Sequence, residues 1–202
     1  MKLYYSPGAC SLSPHIALRE AGLTFSIEKV NLRTLRTESD TDFLRINPKG
    51  YVPALQFDDG SVLTEGPAIV QWIADEAPAK HLAPAAGTME RYRLIEWLNF
   101  ISTEVHKSMG ALFAPDVPEA VRASIIDKLG KRLDYIEQQL GSKPHLMGEH
   151  FTVADAYLFT VMGWPRWLKL DVSKWTVLAA YVDRIAARPA VQAALKAEGL
   201  LK

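Results

Sequence analysis

Val52-Pro53, led in by Asn47-Pro48-Lys49-Gly50-Tyr51 and followed by Leu63-Thr64-Glu65-Gly66-Pro67, constrains this chain more than any other stretch. A proline at the entry to a strand tolerates its missing N–H, and an X-Pro bond is where a cis peptide occurs. A cis bond there turns the chain so that the backbone of Val52 faces outward, able to pair with an extended peptide. Asp58-Asp59-Gly60-Ser61 joins two short apolar runs, residues 54–57 and 62–64, and reads as a hairpin turn. Glu65-Gly66-Pro67 then opens a helix, with Pro67 suited to its first turn. Free N–H groups at a helix start bind carboxylates. A strand edge beside such a pocket suits a short acidic peptide.

The rest of the chain falls into two styles. Residues 2–5 read as a strand, 11–21 as a helix stopped by Gly22, and 25–30 as a strand by the alternation of Phe25 and Ile27. A helix is expected over 38–46, ending at Asn47-Pro48, and another over 67–76. The order β-α-β, α, β-β-α predicts a thioredoxin-like unit on a mixed four-stranded sheet. Residues 77–88 are rich in Pro, Ala and Gly and read as a linker. Everything beyond is helical: 89–112, 119–140, 152 to about 170 with a kink at Pro165, 175–187 and 189–200. Thr152-Val153-Ala154-Asp155 resembles a capping box at the start of the third of these.

Twenty-three basic and twenty-three acidic side chains cancel, so no strong field favours nucleic acid or an anionic membrane. Cys10 is the only cysteine, which excludes an intramolecular disulfide and a cysteine-rich metal site and fits a reducing compartment. The four histidines besides His106 show no metal-ligand spacing. No signal-peptide pattern opens the chain and no apolar stretch is long enough to span a bilayer, so a cytoplasmic protein is expected.

Cys10 stands in the turn between the first strand and the first helix, where the helix N-terminus favours a thiolate. Cys10-Ser11-Leu12-Ser13 is a C-x-x-S arrangement. Such a thiol can form a mixed disulfide but has no internal thiol to resolve it. Taken alone, a cysteine is more often an inert buried side chain. Asn99, Thr103 and His106 share a helix face by α-helical spacing, with Lys107 beside them. Phe113, Trp164, Trp167 and Leu168 read equally as core packing or as the wall of an apolar pocket.

Residues 47–55 and 63–69 together resemble the glutathione-binding signature of the cytosolic glutathione S-transferases. Cys10 within Ser6-Pro7-Gly8-Ala9-Cys10-Ser11, and the pair His106-Lys107, narrow the resemblance to the bacterial beta class. It extends over the whole chain. It implies a thioredoxin-like α/β domain over 1–80 that binds glutathione, and an all-α domain over 88–202 that contributes the electrophile pocket. Glutathione would lie along Val52-Pro53 as an added strand, its γ-glutamyl end at Glu65 and the N–H of Gly66, its thiol near Cys10. Asn99, Thr103, Glu104, His106 and Lys107 would complete the glutathione site, with Cys10 and His106 catalytic. Glu104 would reach the glutathione amine of a neighbouring subunit in a homodimer. His106 would bond the thiol region or act as a weak base; Lys107 would attract the thiolate or remain a solvated cation. Tyr5, Phe113, Trp164, Trp167 and Leu168 would line the electrophile pocket in the cleft between the domains. Many family members carry Ser or Thr where this chain has Gly66. Leu35 stands where the beta pattern often has a lysine on the glycyl carboxylate, and Arg33 or Arg36 are the nearby substitutes.

The resemblance implies glutathione as co-substrate with no metal and no further cofactor, and the thiolate conjugated to a small apolar electrophile. Cys10 adds glutathione-dependent thiol-disulfide exchange or dehalogenation to that reading. The alternative is a non-catalytic binding module of the same fold, against which Cys10 and His106 argue.

Overall fold

The structure, a computed structural model, describes residues 1–201. The chain gathers into two compact units, one formed by Met1–Ala83 with the chain from Ala187 onward, the other by Pro84–Ala186.

The first unit carries β1 (Lys2–Tyr5), α1 (Leu12–Ala21), β2 (Ser26–Asn31), β3 (Arg36–Thr37), β4 (Ala54–Gln56), β5 (Val62–Thr64) and α2 (Gly66–Glu76). Its sheet runs β3-β2-β1-β4-β5. β1 lies parallel to β2, with Leu3 opposite Ile27; the other pairs are antiparallel. Tyr4, Val30, Phe43, Val52 and Ala54 form one buried cluster, joined by Ala9, Ile46 and Val62. α1 is buried along most of its length and packs against α2, and Gly22 closes it in the left-handed conformation at φ 70°. The Val52-Pro53 bond is cis.

Two expectations for this unit are corrected. The sheet has five strands, because the two residues of β3 pair back on β2, Thr37 opposite Val30. The helix expected over 38–46 is a single 3-10 turn, Phe43–Arg45. Local polar bonds take the backbone first: the Thr37 hydroxyl accepts from the Thr41 N–H at 3.1 Å, and the Asp42 carboxylate accepts from the Leu44 N–H at 3.1 Å. Short polar side chains that satisfy nearby backbone in this way compete with helix formation.

In the second unit α3 (Met89–Phe100) starts at Thr88, whose hydroxyl accepts the Arg91 N–H at 3.2 Å. It runs on through a π-helical segment, Ile101–His106, into α4 (Lys107–Ala111). The stretch 89–112 is thus helical as expected, but it is not one α-helix: the Lys107 N–H reaches back five residues to the Ser102 carbonyl. α5 (Glu119–Leu140), α6 (Val153–Met162), α7 (Pro165–Leu168) and α8 (Thr176–Ala186) follow. The expected kinked helix from 152 to about 170 is two helices. Pro165 has no N–H to continue the ladder, so α6 ends at Met162 and Pro165 opens α7. α8 packs on α5 and α6. At the head of α6, the buried Asp155 carboxylate accepts the N–H and the hydroxyl of Thr152, at 2.8 and 3.0 Å, the Leu146 N–H at 2.8 Å and the Tyr181 hydroxyl at 2.9 Å.

The last helix, α9 (Pro189–Ala197), packs on α1. A division of the sequence at the linker leaves 88–202 together, whereas the chain from Ala187 groups with the first unit. Arg188 makes a two-pronged pair with Glu20, at 2.7 and 3.0 Å, and Glu198 pairs with His15 at 2.8 Å. Among the described residues no helix is long and apolar enough to cross a membrane.

Candidate active site

Cys10 sits in the turn from β1 into α1, partly exposed, and its thiol donates to the Val52 carbonyl at 3.2 Å. The first unit thus brings together the thiol and the strand edge that the sequence singles out. The turn is pinned from three sides. The Ala9 N–H bonds the Ser6 carbonyl, the Ser6 N–H bonds the Ser11 hydroxyl, and the Gly8 N–H donates to Glu198 at 2.9 Å. Glu198 and His15 are both fully buried at their side chains. Arg19 Nε donates to His15 Nε2 at 3.0 Å, so the ring proton sits on Nδ1 and is donated to Glu198. Sequence reasoning missed this chain. Glu198 lies 190 residues from Gly8, and no local pattern marks it. Ser13, the last residue of the C-x-x-S stretch, has its hydroxyl buried without a hydrogen-bond partner.

The other end of the first unit's site is Glu65. It precedes α2 at φ 71°, a left-handed backbone that a non-glycine residue adopts only at a cost. Lys49 Nζ lies 2.6 Å from Glu65 Oε1 and 3.0 Å from the Thr64 hydroxyl, and the Tyr51 hydroxyl donates to the same Oε1 at 2.8 Å. The Asn47 side chain builds the loop that carries both donors. It accepts the Lys49 N–H at 3.1 Å and donates to the Tyr51 carbonyl at 2.7 Å. Lys49 and Tyr51 were not among the residues picked out by sequence; their alternation two apart, just before Val52-Pro53, is the signal that could have found them. Gly66 adjoins Pro53: a Cβ added there would stand 3.9 Å from Pro53 Cγ, an ordinary contact.

Leu35 occupies a left-handed position, φ 54°, and its methyl groups lie about the loop at Gly50. Of the two nearby arginines, Arg36 is committed to Asp40 at 2.8 Å. Arg33 stands in an exposed turn whose N–H groups cap onto the Asn31 side chain. Tyr5 is buried, its ring 6.2 Å from that of His15.

In the second unit Asn99 lies in the last turn of α3, Thr103, Glu104 and His106 occupy the π-helical segment, and Lys107 opens α4. The shared face inferred for Asn99, Thr103 and His106 assumed α-helical spacing, whereas 101–106 is π-helical; the Thr103 hydroxyl donates to the Asn99 carbonyl at 3.0 Å. Glu104 is drawn to α5, with Arg132 at 2.7 Å and Lys128 at 3.6 Å. The hydrogen bond from Arg132 holds its carboxyl below the usual range.

His106 Nδ1 and the Tyr157 hydroxyl lie 2.6 Å apart. The imidazole stacks edge-on against Trp164 at 4.8 Å, and Trp164 meets Phe113 at 5.8 Å. Burial, reinforced by the Lys107 charge, brings the His106 pKa down to about 4. His106, Trp164 and Phe113 are therefore one aromatic cluster. Tyr157 belongs to it and was missed, since a tyrosine in a uniformly apolar helix reads as core. Trp167 is exposed and carries Arg166 over its ring at 4.6 Å, whereas Leu168 is buried. A separate open groove of about 540 Å³, lined by Trp97, Phe100, Arg132 and Tyr135 among others, contains none of these residues.

A mixed thioredoxin-like sheet with a thiol after β1 and a cis X-Pro edge, joined to a helical unit, defines a class of glutathione-using folds. The chain belongs to the glutathione S-transferase family: residues 8–76 match its N-terminal domain and 100–189 its C-terminal domain. It is 48% identical to glutathione S-transferase GstA of Escherichia coli O157:H7, over 99% of this chain and 100% of that protein. A sphingomonad glutathione S-transferase solved in complex with glutathione superposes with a TM-score of 0.95 at 48% identity, over the full length of both chains. The bacterial beta-class enzyme of Sphingomonas chungbukensis gives the same TM-score at 49% identity, again over both whole chains.

Proposed function

We propose that this chain conjugates the thiolate of glutathione to small apolar electrophiles, and that Cys10 also supports thiol-disulfide exchange with glutathione. The observation that carries the reading is the Cys10 thiol on the Val52 carbonyl, the group to which an added peptide strand would bond. The glutathione bound by the sphingomonad relative supports it. In this reading Val52 and Pro53 take the cysteinyl backbone, and Glu65 and Gly66 take the γ-glutamyl end. Asn99, Thr103, Glu104, His106 and Lys107 complete the glutathione contacts, and Tyr5, Phe113, Trp164, Trp167 and Leu168 meet the electrophile. In exchange, the Cys10 thiolate attacks the glutathionyl sulfur of a glutathione-capped small thiol, the S–S bond breaks, and the small thiol leaves as its thiolate. A glutathione thiolate then attacks the mixed disulfide, releasing the Cys10 thiolate and glutathione disulfide.

The test is kcat/KM with a model aryl halide for Cys10→Ala and His106→Ala, beside exchange with a glutathione-capped small thiol. Cys10→Ala abolishes exchange but lowers conjugation about tenfold at most, the size of one neutral hydrogen bond. His106→Ala lowers conjugation further. Near-total loss of conjugation in Cys10→Ala would make Cys10 a direct catalyst of conjugation and refute the separation of the two activities.

The chain is further proposed to work as a homodimer. Met89, Tyr92 and Tyr135, exposed on α3 and α5, support a covered face there. A sedimentation mass of one subunit at micromolar concentration contradicts it.

A further inference from the structure

We propose that Tyr157 is a positioning residue for His106: its hydroxyl donates to Nδ1, holds the ring in the tautomer with its proton on Nε2, and so makes His106 a hydrogen-bond donor, and not a base, toward the reacting sulfur. The proposal deepens the reading that His106 meets glutathione, and rests on it.

Two observations in the second unit carry this. The first is the contact itself. The Tyr157 hydroxyl, on a side chain buried in α6, lies 2.6 Å from His106 Nδ1. An N–H donating to oxygen keeps a separation of about 2.7–3.2 Å, whereas a hydroxyl donor comes closer. A phenol is also a stronger acid than a neutral imidazole, and a bare imidazole nitrogen is a stronger base than a phenol oxygen. The shared proton therefore belongs to Tyr157 and points at Nδ1. Burial, with the Lys107 charge beside it, brings the His106 pKa down to about 4, so the ring is neutral at pH 7. A neutral ring carries one proton. With Nδ1 accepting, that proton is on Nε2.

The second observation is where Nε2 stands. Among the described residues it has no hydrogen-bond partner. Nor is it sealed inside, since the buried side-chain polar atom left without a partner is Ser13 Oγ. Gly110, one turn further on in α4, keeps that edge of the ring bare: a Cβ added there would stand 3.9 Å from His106 Cδ2, the atom bonded to Nε2. The rest of the ring is held. Trp164 meets it edge-on at 4.8 Å and the Tyr157 ring at 5.8 Å, and it hangs from a π-helical segment, a form that collects at functional sites. A ring fixed on one side with an open N–H on the other is a donor awaiting an acceptor.

The chemistry follows from the tautomer. An N–H that donates to sulfur favours the thiolate over the thiol. The thiol proton then leaves to water, because Nε2 already holds a proton of its own. A base role needs the opposite tautomer, with Nε2 bare and the proton on Nδ1, and the Tyr157 hydroxyl opposes that arrangement.

The experiment joins long-range proton–nitrogen NMR of the His106 ring, assigned by its loss in His106→Gln, to kcat/KM with glutathione and a model aryl halide, all on the full chain. In the wild type only Nε2 should carry a proton. In Tyr157→Phe the two tautomers should mix, and kcat/KM should fall about three- to tenfold, the range of one hydrogen bond. His106→Gln presents a fixed amide donor near the place of Nε2. It should keep more conjugation than His106→Ala and lose nothing further when Tyr157→Phe is added. A wild-type ring protonated on Nδ1 overturns the proposal before any variant is made. An unchanged tautomer in Tyr157→Phe also overturns it, leaving the hydroxyl a packing contact. A glutamine variant as impaired as the alanine one overturns it too, by making His106 a base. Full activity in His106→Ala overturns the underlying reading and the donor role with it; the nitrogen spectra still report the tautomer, so that failure is distinct from the others.

Discussion

Asp155 and Glu65 are both acids at the head of a helix, and they are used in opposite ways. Asp155 is fully buried and accepts four hydrogen bonds, from Leu146, twice from Thr152, and from Tyr181. It ties the start of α6 to the loop before it and to α8. Glu65 is half exposed, takes both Lys49 and Tyr51 on one oxygen, and sits on a left-handed backbone. A carboxylate saturated inside the protein specifies a fold, since any missing donor is costly there. A carboxylate at the surface, held in place by the 47–51 loop and an unfavourable backbone angle, is the one that meets the ligand in the function proposed here. The difference separates two kinds of importance that a sequence presents alike, because each acid appears simply as an acid near a helix start.

The sharpest way to break this contrast is Asp155→Ala. Four donors would lose their acceptor, and the loss in unfolding free energy should reach about 3–5 kcal/mol, the cost of removing one partner from a buried charged network. Conjugating activity per folded molecule should persist. A loss under about 1 kcal/mol would mean that burial and hydrogen bonding at Asp155 matter less than the geometry says.

His106 lies between the extremes, mostly buried and bonded to Tyr157, and sharpens the contrast through pH. Its folded pKa of about 4 lies below that of an exposed histidine. The unfolded chain therefore takes up the proton first as pH falls. Stability is present in full above about pH 6.5 and declines through that window until pH passes the folded value, by up to ~3 kcal/mol. Urea midpoints from pH 7 to pH 4 should fall more steeply for the wild type than for His106→Gln. Parallel curves would contradict a buried, uncharged imidazole.

Much of this was legible in sequence, and the omissions share a cause. The succession of strands and helices in the first unit apart from β3 and the helix expected over 38–46, the hairpin at Asp58-Asp59-Gly60-Ser61 and the capping pattern at Thr152 and Asp155 are local, and local chemistry determines them. The helix expected over 38–46 failed because the Thr37 hydroxyl and the Asp42 carboxylate satisfied the N–H groups of Thr41 and Leu44 before a helix could. The π-helical turn escaped because its apolar spacing imitates an α-helix, yet it carries Thr103, Glu104 and His106. In the first unit, Cys10, Val52, Glu65 and Gly66 announced themselves through their neighbours in sequence. Lys49, Tyr51 and Glu198 did not. Their meaning depends on partners 14 to 190 residues away, which only the folded backbone brings within reach.

The most direct test of the central contrast is Glu65→Ala, followed in one preparation by calorimetry with glutathione and by urea denaturation. Removal of a charge-assisted contact should weaken binding by roughly ten- to a hundredfold, about 1.5–3 kcal/mol. The denaturation midpoint should stay where it is, since a half-exposed acid on a strained backbone contributes little to the fold. An unchanged dissociation constant, or a loss of stability on the scale of Asp155→Ala, would contradict the assignment of Glu65 to the ligand and of Asp155 to the fold.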